Sequence, residues 1–140
     1  MLIIPSTLLT AIVTVLAVLM FFWTILLVGR MRGKHGIDAP ATTGNPEFER
    51  AFRVQMNTLE QIVVFLPLLW LSNSYFMIMP YLTGALGLVW VVGRIVYALG
   101  YLAEPSKRSM GFLISLLATA GLLITTIIGI GQAWMALSAA

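Results

Sequence analysis

The stretch Glu49–Trp70, ERAFRVQMNTLEQIVVFLPLLW, decides the fold. Its opening half sets arginines, amides and carboxylates among apolar residues, and the half after Gln61 is a continuous apolar run with one proline, Pro67. At about 100° per residue, Arg50, Arg53, Asn57 and Glu60 fall within roughly 80° of one another, so they form one polar stripe on a helix. Gln55 points to nearly the opposite side and must serve a different neighbour. A stripe that gives way to an unbroken apolar run is the mouth of a membrane span.

The rest of the chain agrees. Sixty per cent of the 140 residues are hydrophobic and 9% are charged, far outside soluble usage. All eight basic and five acidic side chains lie between Arg30 and Arg108. A hydrocarbon core roughly 30 Å thick takes about 20 helical residues to cross. Four segments meet that length, with helices expected over about 2–32, 46–79, 81–104 and 109–137. The fold class is therefore an all-α membrane protein, a four-transmembrane-helix bundle in a single domain, 1–140. The first segment has no early Lys or Arg and is too long for a signal peptide, so it is expected to stay.

Basic residues collect in the first connection (Arg30, Arg32, Lys34, Arg50) and in the third (Lys107, Arg108), while the second has none. With four spans these loops, about 30–50 and 104–109, share one side, expected to be cytoplasmic. A bacterial inner membrane and the endoplasmic reticulum both fit. The isoelectric point of about 9.7 reflects this orientation and anionic headgroups; no extended basic face suggests nucleic acid. The first loop closes on a helix start, with Asn45 as N-cap, Pro46 at the first helical position, and Glu47 and Glu49 at the positive end of the helix dipole. A helix from Pro46 to Met79 would be too long for the hydrocarbon core, so its first turns must project from the lipid or line a polar cavity.

Arg94, Tyr97 and Tyr101 form a second polar face on the third helix, by the same three-then-four spacing. Arg94 would lie near mid-bilayer, where an arginine costs on the order of 2.5–3.5 kcal/mol or more. A structural ion pair with Glu60 is the simplest remedy. Two facing stripes exceed what one pair needs, and they outline a pocket of several cations, one carboxylate, an amide and two phenols. Such a pocket suits a small zwitterion with excess negative charge, and glutathione is one. The chain has no cysteine, so any thiol must come from a ligand. His35 has no second His or Cys beside it, and no metal site is expected. Gly84, Gly87, Gly93 and Gly100 are read as points of close helix contact.

Two segments, TTGNPEFERAFRVQMNTLE (42–60) and GLVWVVGRIVYALGYLAEPSKRS (87–109), resemble signature stretches of the MAPEG family, the membrane-associated proteins in eicosanoid and glutathione metabolism. With the four-span pattern, the resemblance covers nearly the whole chain. It implies a homotrimer with glutathione held between neighbouring subunits near the cytoplasmic side. Carried over by position, Arg53, Asn57, Glu60, Arg94, Tyr97 and Tyr101 bind the tripeptide from one subunit, and Gln55 and Arg32 approach from the next. Arg108 matches the arginine that faces the glutathione sulfur, and Arg32 or Arg30 the second active-site arginine. Gln61 stands where one branch of the family has a tyrosine.

The implied activity is that of a membrane glutathione transferase, which conjugates the thiol to lipophilic electrophiles and reduces lipid hydroperoxides, with membrane lipid supplying the hydrophobic substrate. The family also includes non-catalytic lipid-binding scaffolds, the alternative reading. The presence of Arg53, Glu60 and Arg108 weighs against it.

Overall fold

The computed structural model describes residues 5–139. Its helices are α1 (Pro5–His35), α2 (Pro46–Tyr75), α3 (Pro80–Ala103) and α4 (Ser109–Ser138), with a short 3-10 turn, Pro105–Arg108, between the last two. All four helices are long and apolar enough to cross a membrane, and the described residues contain no strand. The chain is an integral, multi-pass protein. α1 packs on α2 and α3, α4 packs on the same two, and α2 meets α3 across the middle.

Several helix ends depart from the expected bounds, α3 starting at Pro80 and α4 ending at Ser138, each one residue outside them. α2 stops at Tyr75 instead of reaching Met79, because Pro80 opens α3 at its first position and the residue before a proline avoids helical geometry. The backbone turns extended at Phe76, whose N–H still closes on the Ser72 carbonyl. α1 continues three residues past Arg32, to His35. α3 ends at Ala103, and Glu104 is extended. Pro67 lies inside α2 without ending it.

The centre is apolar. Phe65 of α2 stacks on Trp90 of α3 with centroids 3.9 Å apart, and Val13, Ala17, Leu69, Ala118 and Leu122 close around them. Toward the Tyr75 end of α2, hydroxyls take over. Ser72 lies 2.7 Å from both Thr83 and Thr125, joining three helices, and Asn73 accepts from Thr10 at 2.9 Å to bring in α1. Satisfying polar groups between helices is the available glue where lipid offers none. Outward, Leu19, Val63, Leu117 and Ile127 are exposed, as a lipid-facing surface requires.

Glycine sets the closest approach. A Cβ on Gly93 would meet the Ser115 backbone nitrogen, and one on Gly111 would meet the backbone of Tyr97, so α3 and α4 touch main chain to main chain. Gly111→Ala must force them apart. Overpacking of this kind costs about 1–3 kcal/mol, and we expect a clearly lower thermal midpoint in detergent; an unchanged midpoint would contradict this packing.

The first loop is tied down at both ends. Asn45 accepts from the Glu47 and Phe48 backbone N–H groups and caps α2. Lys34 and His35 at the end of α1 reach Glu47 at 2.7 and 2.8 Å. The Arg32 Nη1 donates to the Ala41 and Ile37 carbonyls at 2.8 and 3.3 Å, and its guanidinium sits over the Phe48 ring.

Candidate functional site

The polar half of α2 reaches a cavity of about 520 Å³. Arg53, Met56, Asn57 and Glu60 line it from α2, Tyr97 and Tyr101 from α3, and Arg108, Ser109 and Phe112 from the start of α4. The two stripes expected to meet do meet. Arg53 and Arg108 oppose a single carboxylate, Glu60, so the lining carries excess positive charge. None of the three appears in an ion pair among the described residues.

Local geometry explains Arg108. The N–H of Glu104 caps the Gly100 carbonyl, Pro105 begins the 3-10 turn, and the turn folds back so tightly that a Cβ on Gly100 would sit 2.5 Å from the Lys107 carbonyl oxygen. Lys107 is drawn to Glu104 at 3.3 Å. Arg108 is left to the cavity, with its guanidinium 5.5 Å from the centre of the Tyr101 ring. Tyr101 in turn lies 5.8 Å from Tyr97, centre to centre, and the Arg94 guanidinium is 4.0 Å from the Tyr97 ring. Cation and aromatic thus alternate from the buried Arg94 to the exposed Arg108, each cation over a ring face that attracts it.

Arg94 is 0% exposed and lies behind the cavity wall, outside the lining. The ion pair with Glu60 weighed from the sequence does not form within the chain. The Arg94 Nη2 donates instead to the Asn57 Oδ1 at 3.0 Å and the Thr58 Oγ1 at 2.8 Å. Asn57 then donates its Nδ2 to a Glu60 oxygen at 3.4 Å. The Asn57 amide therefore bridges the buried cation and the carboxylate, and Glu60 stays exposed and lines the cavity. Nε and Nη1 of Arg94 have no protein acceptor.

Thr58 was missed by sequence reasoning, because it stands about 100° from Asn57, off the stripe. Its signal was a hydroxyl beside the stripe at the depth of a buried arginine. Met56, Ser109 and Phe112 were also unforeseen. Gln55 and Arg32 do not line the cavity within one chain: Gln55 turns to another face of α2, as its angle implies, and Arg32 holds the first loop. Arg30 is exposed on α1. No group of three His, Cys, Asp or Glu that could hold a metal occurs among the described residues.

A zwitterion with two carboxylates and one ammonium could use every charged group of this lining, and comparison with known proteins points the same way. The MAPEG family model matches residues 10–128. An uncharacterized protein of Synechocystis is 44% identical over 120 residues, 86% of each chain. Human microsomal glutathione S-transferase 2 is 36% identical, over 93% of this chain and 87% of its own. Guinea-pig (Cavia porcellus) leukotriene C4 synthase is 38% identical, over 82% and 81%. The chain belongs to the MAPEG family.

Proposed function

We propose that this protein is a membrane glutathione transferase that binds glutathione in the cavity, holds its sulfur as thiolate, and transfers it to lipophilic electrophiles from the bilayer. The observation that carries the reading is the convergence of Arg53, Glu60 and Arg108 on one cavity beside two tyrosines. The family relationship and the relatives named for glutathione transfer support it.

In this reading Glu60 takes the ligand's ammonium, Arg53 a carboxylate, and Arg108 faces the sulfur. A free thiol titrates near pH 8.5, so half-ionisation at pH 7 needs a shift of about 1.5 units, or roughly 2 kcal/mol. One guanidinium about 4 Å away supplies on the order of 4 kcal/mol at an effective dielectric constant near 20. Arg108 suffices by electrostatics alone, and the thiol proton leaves to water at the open mouth. The thiolate attacks an electrophilic carbon, the carbon–sulfur bond forms, and the bond to the leaving group or epoxide oxygen breaks. With a hydroperoxide the thiolate takes the terminal oxygen, the O–O bond breaks and an alcohol departs. A second glutathione then converts the sulfenic acid to disulfide and water. Met56 and Phe112 give the cavity an apolar side facing the substrate's source.

The site is completed in a homotrimer, where Arg32 and Gln55 approach from the neighbouring subunit, near the cytoplasmic face with the loops 30–50 and 104–109. Both residues stand off the cavity of their own chain, and Arg32 engages the loop through Nη1 alone. The test is conjugation of glutathione to a lipophilic aryl halide, and reduction of a lipid hydroperoxide, by the protein in liposomes and across dilution in detergent. Saturable turnover that falls as the oligomer dissociates is expected. Tight lipid binding with no turnover would establish a scaffold instead, and fully active monomers would overturn the shared site.

A further inference from the structure

A groove of about 370 Å³ runs between α1 and α3, and its lining, which includes Leu16, Leu19 and Trp23 of α1 and Val91, Ile95 and Leu99 of α3, is entirely apolar or aromatic. It shares no residue with the polar cavity. The two helices run parallel, since a Cβ on Gly84 would meet Leu9 and one on Gly87 would meet Val13, so Trp23 and Leu99 lie at the end nearer the charged loops. Arg30 stands about two turns beyond Trp23 and, at about 100° per residue, within roughly 60° of the face that carries Leu16, Leu19 and Trp23. We propose that the groove and Arg30 form a site for one net-anionic phospholipid, with an acyl chain in the groove and the phosphate on the Arg30 guanidinium. The assignment does not depend on the glutathione reading.

Charge carries the first part. Arg30 is exposed and makes no ion pair among the described residues, whereas its neighbours on α1 are engaged: Arg32 by the loop carbonyls, Lys34 and His35 by Glu47. Glu104, at the end of α3, is held by Lys107. Arg30 therefore offers a cation to a phosphate, while Glu47 and Glu104 are already taken and do not offer a carboxylate to the ammonium of a zwitterionic headgroup. A net-anionic lipid fits that balance best.

Length and direction carry the rest. From Arg30 back to Leu16 is fourteen residues, a rise of about 21 Å, and one leaflet is half of a bilayer about 40–45 Å thick with its headgroups. With Arg30 among the headgroups, the groove ends at the midplane, where an acyl chain ends. Arg32 points about 200° away from Arg30 around α1. In the trimer proposed above, the α1 face that approaches the neighbouring subunit is thus opposite the groove, and the exposed Leu19 and Leu99 are left to lipid.

Trp23 reports on the groove. The experiment places the full chain in phosphatidylcholine vesicles, adds phosphatidylglycerol with brominated acyl chains in rising proportion, and reads the tryptophan quenching that disappears in Trp23→Phe. The same brominated chains on phosphatidylcholine are the reference. Half-maximal quenching of Trp23 should need about a fivefold lower proportion of the anionic lipid, the effect of one basic side chain near an anionic surface. Arg30→Gln should abolish that preference and Arg30→Lys should keep it. Lys107→Gln, which removes another cation from the same end of the bundle, should also keep it. Equal quenching by the two headgroups in the parent overturns the assignment without any Arg30 variant. A preference that survives in Arg30→Gln overturns it too, and one that falls as far in Lys107→Gln is a diffuse surface attraction and does the same. Trp23 that no brominated chain quenches would mean that protein covers the groove. A neutral brominated ester that quenches as well as the anionic lipid would make the groove an entry for lipophilic substrate, and either result sinks the lipid site.

Discussion

Replacing Arg108 by alanine should lower turnover at pH 7 about 15-fold while leaving glutathione affinity within a few-fold of the parent. With the guanidinium gone, the bound thiol returns toward its free pKa near 8.5, and the thiolate fraction at pH 7 falls from about one half to roughly 3%. The sign fixes the pH dependence: a thiol pKa held down by a cation gives activity at neutral pH, and its loss moves the rising limb of the pH–rate profile about 1.5 units upward. At pH 9 most of the mutant's rate should return. Affinity is spared because Arg53 and Glu60 hold the charged ends elsewhere in the cavity. The exposed 3-10 turn that carries Arg108 makes loss of the fold a poor alternative explanation. An unshifted profile would make Arg108 a surface charge serving topology, and Arg32 or Arg30 the arginine to test next.

Glu60→Gln should weaken glutathione binding about 10- to 100-fold, the loss of a charge-assisted hydrogen bond to the ligand's ammonium. Turnover at saturation should change little, since that contact is the same in ground and transition states. The variant should fold normally. Arg94 donates its hydrogen bonds to Asn57 and Thr58, so the buried cation does not rely on Glu60. Calorimetric titration gives the affinity, and single-turnover kinetics separates it from chemistry. Parental affinity would remove Glu60 from the ammonium site, and a collapse in folding yield would restore the ion pair with Arg94.

How much of this could be read in the sequence follows from what each signal reports. Periodicity reports direction around a helix, and it brought Arg53, Asn57 and Glu60 to one face and Tyr97 and Tyr101 to another, opposite it. Hydropathy reports lipid compatibility, which located four spans yet could not see α2 end at Tyr75, because the four residues Phe76–Met79 are themselves apolar. Pro80 was the local signal there. Neither property reports which acceptor a buried arginine finds. A carboxylate looked the natural partner of Arg94, and the fold supplied an amide and a hydroxyl because they lie at the arginine's depth while Glu60 turns to the cavity. The same holds for Arg32, whose carbonyl partners in the first loop come from backbone that carries no side-chain pattern to read.

The central claim is that this cavity binds glutathione as its thiolate. It is tested most directly by ultraviolet difference absorbance of the purified protein titrated with glutathione at pH 7, with S-methyl glutathione as the reference ligand that cannot ionise. A saturable thiolate band with glutathione, absent with S-methyl glutathione and lost in Arg108→Ala, is the predicted result. Saturable binding of both ligands with no thiolate band in the parent would contradict it.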